Sequence, residues 1–174
     1  MSWNDYYRRR DVLNGALRQA RRDPARRVSL TDVPGATEVF EDEGDLLLAL
    51  QYKWNQSLTG RIGVALSELA AGVELDNVDA VSAAWHRTAR EHGTLREVLD
   101  ANAEEHAEAL RPGREVELRM LALAAGLAEP GEQPEKIKRV GAAFLGLLCN
   151  TPEQPVTRHR TPMRQLRRLL APAG

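Results

Sequence analysis

Between residues 43 and 71 apolar side chains recur at helical spacing: Leu47, Leu50, Trp54, Leu58, Ile62, Ala65 and Leu69. A stripe of that length predicts one long amphipathic helix, on the order of 40 Å. Such a helix must be covered by others along its whole length. Gly72 is positioned to close it, and Gly60 and Gly63 are expected to bend it or admit a close neighbour. The rest of the chain offers no sheet to cover it. Val-Ile-Thr alternation is absent, and Ala, Leu, Arg and Glu, which are good helix formers, dominate. The expected fold is therefore all-α, a single-domain bundle of about six to eight helices.

Helix boundaries can be placed around this element. A first helix over about residues 4–22 puts Tyr6, Leu13, Leu17 and Ala20 on one face and stops before Asp23-Pro24. Residues 23–43 are broken, with short turns expected at Ser29–Val33 and Ala36–Phe40 on either side of Pro34-Gly35. Asp76 or Asn77 caps a helix with the stripe Val78, Val81, Trp85 and Ala89, ending at Gly93. Thr94-Leu-Arg-Glu97 reads as a capping box opening the next helix, with the stripe Leu95, Leu99, Ala103, His106 and Leu110. Pro112 predicts the start of another helix, running to Gly126. Pro134 predicts one more, to about Asn150. Both are apolar around much of their circumference, through Val116, Met120, Leu121, Leu123 and Leu127, and through Ile137, Val140, Phe144, Leu147 and Leu148. That pattern predicts burial. A short basic helix is expected near the C-terminus, with Met163, Leu166 and Leu170 as its apolar face.

The formal net charge of −1 conceals a partition. Residues 1–27 carry eight Arg against three Asp, and residues 151–174 carry five Arg against one Glu. Residues 28–150 hold 11 basic and 21 acidic side chains. An acidic body with two basic ends predicts that the ends meet an anionic partner. The candidate contacts to nucleic acid or a protein partner are Arg8, Arg9, Arg10, Arg18, Arg21 and Arg22, with Arg158, Arg160, Arg164, Arg167 and Arg168 in the tail. Met1 to Arg10 shows charge without a following apolar run, no stretch is long enough to span a bilayer, and there is one Cys. Together these point to a cytoplasmic protein with no membrane partner.

Catalytic templates are missing. The sequence has no phosphate-binding Gly-rich loop, no G-x-S-x-G and no H-E-x-x-H. Glu104-Glu105-His106-Ala-Glu108 fails the Glu-x-x-His spacing of carboxylate-bridged metal bundles, since residue 103 is Ala. No enzyme activity, metal or cofactor is expected. Cys149 reads as a small apolar core residue at the end of its helix. Trp54, Trp85, Met120 and Phe144 are core candidates that would also wall a cavity for an apolar small molecule. His92 and His106 fall on the stripes of adjacent helices, where imidazoles would hold a polar group of that ligand.

The order of features resembles the tetracycline-repressor (TetR) family of dimeric helical regulators. The likeness rests on the first helix ending in Arg-Asp-Pro, and on Phe40-Glu-Asp-Glu-Gly-Asp-Leu-Leu-Leu-Ala-Leu50 opening a long helix. It continues through Val78-Asp-Ala-Val-Ser-Ala-Ala-Trp85, His92-Gly-Thr-Leu-Arg-Glu-Val-Leu-Asp100 and the final pair of apolar helices. The resemblance implies a head over residues 1–45, a ligand-binding and dimerising body over 46–150, and a basic tail over 151–174. It also implies a two-fold four-helix bundle at the dimer, made by helices 112–127 and 134–149, with Ala122, Ala125, Gly141, Ala142 and Gly146 allowing close approach.

The head departs from the family pattern. Only Pro34-Gly35-Ala-Thr-Glu-Val separates Val33 from Phe40, too short for the recognition helix of a helix-turn-helix. Glu38, Glu41, Asp42, Glu43 and Asp45 surround that place and would repel phosphates. The leading expectation is a small-ligand-responsive regulator of transcription with an apolar effector and weakened or absent sequence-specific DNA binding. The alternative is a homodimeric interaction module that does not bind DNA and acts through its basic ends.

Overall fold

The computed structural model describes residues 3–23, 27–72 and 75–151. The tail arginines and the expected C-terminal helix lie outside these residues. All regular structure among the described residues is helical: α1 Trp3–Ala20, α2 Glu43–Ala70, α3 Asn77–Glu91, α4 Gly93–Ala101, α5 Ala107–Ala124 and α6 Pro134–Asn150. Two three-residue 3₁₀ turns, Leu30–Asp32 and Ala36–Glu38, occupy the stretch between α1 and α2.

Local chemistry sets most of the ends. Asp42 caps α2 by accepting from the Asp45 N–H at 2.8 Å, and Asp76 caps α3 by accepting from the Asp79 N–H at 2.7 Å. At the end of α5 the Leu127 N–H reaches the Ala122 carbonyl and the Gly126 N–H the Leu123 carbonyl. Gly126 sits at φ 68, the left-handed glycine ending that this bonding pattern requires. Pro134 opens α6, where its missing N–H costs nothing.

α2 is the axis of the bundle. Its buried face, Leu47, Leu50, Trp54, Leu58 and Ile62, packs in one core cluster with Val81 and Trp85 of α3, Leu95, Val98 and Leu99 of α4, Leu110 and Leu121 of α5, and Phe144 and Leu148 of α6. α3 folds back antiparallel on α2, while α5 runs in the same direction as α2, pairing Gln51 with Glu117 and Thr59 with Met120. α6 packs on α5, with Lys138 paired to Glu115. There a Cβ on Gly141 would stand 2.1 Å from the Leu118 carbonyl oxygen, so only glycine allows this approach.

A second, smaller core holds α1 and the two turns against the start of α2. It contains Val12, Ala16, Leu30, Val33, Ala36, Phe40 and Leu46. The boundary at 45/46 falls inside α2, and Leu13 and Val28 pack against both cores.

Several local expectations are corrected. Tyr6 is half exposed, and the buried residues of α1 begin only at Val12, with Ala16 and Ala20. A methyl group added to Gly60 or Gly63 would meet nothing within 4 Å, so neither glycine admits a close approach. Thr94 lies inside the first turn of α4, and His92 stands at the N-cap without a side-chain bond. The helix expected through His106 instead breaks after Ala101, where the buried Asn102 returns its amide to the Val98 carbonyl at 2.8 Å. Pro112 is interior to α5, which has already begun at Ala107. Finally, α5 and α6 are not buried all round: Val116 on α5 and Leu147 on α6 are exposed, Leu147 at 65%, as is Leu127 in the turn after α5.

Candidate functional site

The centre of the bundle holds a polar network among apolar neighbours. Glu117, on the inner face of α5, is 1% exposed. Its Oε1 accepts from Trp54 Nε1 at 2.8 Å and from Arg96 Nη1 at 3.4 Å, and its Oε2 accepts from Gln51 Nε2 at 3.0 Å. Gln51 also donates to Asn55 Oδ1 at 3.1 Å, and Asn55 Nδ2 donates to the Gly113 carbonyl at 2.7 Å. Glycine at 113 is needed because a Cβ would meet Gln51 Cγ at 2.6 Å. The network thus joins α2, α4 and α5 through a carboxylate whose two oxygens are both engaged, the condition under which a buried charge is tolerated.

Arg96 links this interior to the surface. Its guanidinium lies 5.4 Å over the Trp54 ring and donates through Nε to Asp100 at 3.0 Å. Burial pulls its pKa down, but the hydrogen bond to Asp100 and the charges of Glu117 and Asp100 outweigh burial and leave it raised. The side chain stays cationic at any pH at which the protein folds. Cys149, expected in the core, is exposed on the last turn of α6. It stands near these charges, and desolvation of its sulfur, only partly offset by Arg96, pushes the thiol pKa up. The protonated thiol is the favoured form at neutral pH, a poor nucleophile.

The residues expected to line an effector cavity separate into two groups. Trp54 and Trp85 meet edge to face, centroids 6.2 Å apart, and Phe144 belongs to the same core. Met120 packs against that core, half buried, with its sulfur accepting from Thr59 Oγ1 at 2.9 Å. His92 and His106 do not join them: His92 is the N-cap residue of α4 and His106 that of α5, beyond the break that follows Ala101. An open groove of about 160 Å³ lies instead between the C-terminal half of α2 and the start of α3. Val64, Ala65, Leu69, Leu75, Ala80 and Ala84 line it, with Arg61 and Arg87 beside them, and it includes none of the six expected residues. Both arginines pair with Glu91, whose pKa the Arg87 hydrogen bond, with Arg61, holds below the ordinary carboxylate range.

The head uses much of its charge internally. Arg9 donates to Asp45 at 3.1 Å and covers the Phe40 ring at 4.3 Å, so it is a packing residue of the small core. Glu43 accepts from the Leu30 N–H at 3.2 Å and Asp42 caps α2. Arg8, Arg10, Arg18, Arg21 and Arg22 remain exposed, as do Glu38 and Glu41.

The small residues expected at a dimer interface also divide. Ala122, Ala125 and Gly141 are buried within the chain, where Gly141 brings α6 onto α5. Ala142 and Gly146 are exposed on α6. Helical spacing aligns Val116 and Leu123 on α5, and Val140, Ala143 and Leu147 on α6, as outward stripes.

Sequence reasoning missed Gln51, Asn55, Arg96, Asn102 and Glu117. The available signal was register: Gln51 and Asn55 adjoin Leu50 and Trp54 on the inner arc of α2, and Glu117 lies between Leu110 and Leu121 on that of α5. A polar residue in phase with an apolar stripe is one that needs a buried partner. Among known proteins, no family model, curated protein or solved structure matches the chain.

Proposed function

We propose that the chain is a homodimeric regulatory protein with a tetracycline-repressor type of body, acting through protein contacts without reading DNA bases. The observation that carries this reading is the head. Among the described residues between α1 and α2 stand only two three-residue turns, closed by the Arg9–Asp45 bond and by Phe40 in the small core. A major-groove reader needs a helix whose first turns reach base edges, and neither turn supplies that length. Dimerisation is supported by the exposed apolar side chains Val116 on α5 and Leu147 on α6, with Leu127 in the turn after α5, a costly surface for a lone chain. Regulation, rather than catalysis, is in keeping with a Glu117 whose oxygens are engaged and a Cys149 thiol with a raised pKa.

A second reading adds a small apolar effector, favoured by the alanine-lined groove between α2 and α3. In both readings the protein works in the cytoplasm. The test is a titration of the full chain against labelled duplex DNA of mixed sequence at two salt concentrations. Absent binding, or weak binding that ignores sequence and disappears with salt, is the expected result. A tight complex with one sequence would reject the reading.

A further inference from the structure

The outward side of α1 carries an unusual set of side chains. Val12, Leu13, Ala16, Leu17 and Ala20 face the two cores; around the remaining arc stand Trp3, Tyr7, Arg10, Asp11, Arg18 and, in the turn that continues the helix, Arg21, with Tyr6 at its edge. Trp3 is 79% exposed, Tyr6 53% and Tyr7 46%. Among the described residues Arg18 and Arg21 have no carboxylate partner, and Arg10 has only Asp11 at 4.0 Å. The line from Trp3 to Arg21 is straight and about 27 Å long. Three clustered aromatics left in water, beside three arginines, form a surface that needs a partner.

We infer that this face of α1 lies on an anionic phospholipid surface. The indole N–H and the phenol hydroxyls are polar tips on apolar rings, the chemistry that settles at the headgroup level. The arginines on the same line would meet lipid phosphates. A flat partner suits a convex, straight helix face. Nucleic acid fits less well because base stacking needs open ring faces. Here Trp3 stacks on Tyr7 at 6.4 Å, Tyr6 sets its edge against Tyr7 at 5.7 Å, and Arg10 covers Tyr7 at 5.0 Å. No described helix is long and apolar enough to cross a membrane; the inferred contact is a peripheral one, and it replaces the sequence expectation of no membrane partner. This inference does not depend on the dimer or on the regulatory reading.

Trp3 provides its own reporter, since Trp54 and Trp85, the other tryptophans, are buried. The full chain is mixed with phosphatidylglycerol–phosphatidylcholine vesicles, with phosphatidylcholine vesicles, and with single- and double-stranded DNA. Expected results are sedimentation with the anionic vesicles alone, reversed by high salt, and a blue shift with quenching by brominated lipid that Trp3→Ala abolishes. Arg10→Glu with Arg18→Glu should reduce vesicle binding at least tenfold while the circular dichroism spectrum and melting temperature stay unchanged. No binding to anionic vesicles at low salt, equal binding to neutral vesicles, binding indifferent to these variants, or tighter binding to DNA than to vesicles would each overturn the inference.

Discussion

The indole Nε1 of Trp54 donates to Oε1 of Glu117 across 2.8 Å in the middle of the bundle, with both side chains shut away from water. Glu117→Leu would strand Trp54 Nε1 and remove the buried counter-charge of Arg96, leaving Gln51 with Asn55 and Arg96 with Asp100. A loss of about 3–5 kcal/mol is expected, as for one broken partner of a buried charge pair. Glu117→Gln keeps a carbonyl oxygen for Trp54 and should lose less, about 1–3 kcal/mol. Urea unfolding of the two variants checks the order; equal costs would mean that the charge itself matters little.

Glycines 60 and 141 should respond to alanine with opposite signs. Gly141→Ala drives a methyl into the Leu118 carbonyl, and a loss of about 1–3 kcal/mol or more is expected as α6 is pushed off α5. Gly60 lies inside α2 with open space around it, so Gly60→Ala should gain about 0.5–1 kcal/mol. Thermal melts of the pair measure both.

Acidification should weaken the fold through His86 before it reaches the carboxylates. Burial, then the charge of Arg90, lowers the His86 pKa below its ordinary value near 6.5. The unfolded chain therefore takes up the proton first, so the contribution is present above about pH 6.5 and is lost as pH falls through and below it. Glu91, also held low, acts in the same direction at lower pH, in and below the carboxylate range. Stability measured by urea between pH 8 and 5 should fall, and His86→Gln should flatten that slope. An unchanged slope in the variant would assign the dependence elsewhere.

The legible parts of the fold are those whose signals are local. The span of α2, the Asp76 cap, the Gly126 ending and the Pro134 start each depend on a residue and its neighbours within one or two turns. The break after α4 does not. Asn102 ends that helix while its Oδ1 accepts from the Val28 N–H at 3.4 Å, a partner 74 residues away. Pro112 then misleads, because it looks like a helix start and sits inside one. The polar network was hidden for a related reason. Glu117 and Arg96 are residue types that usually face water, and only the meeting of α2, α4 and α5 makes them interior. The expected effector cavity was half legible: its aromatics do converge, but as packed core, and His92 and His106 lie outside it.

Leu147, 65% exposed on α6, is where the dimer proposal meets a direct measurement. Light scattering on the full chain should give twice the 19.3 kDa chain mass at micromolar concentration. Leu147→Glu should bring it to the mass of one chain with helicity unchanged, since that side chain lies outside the core of the protomer. A wild-type protein that is already monomeric, or a Leu147→Glu variant that remains a full dimer, would contradict the account.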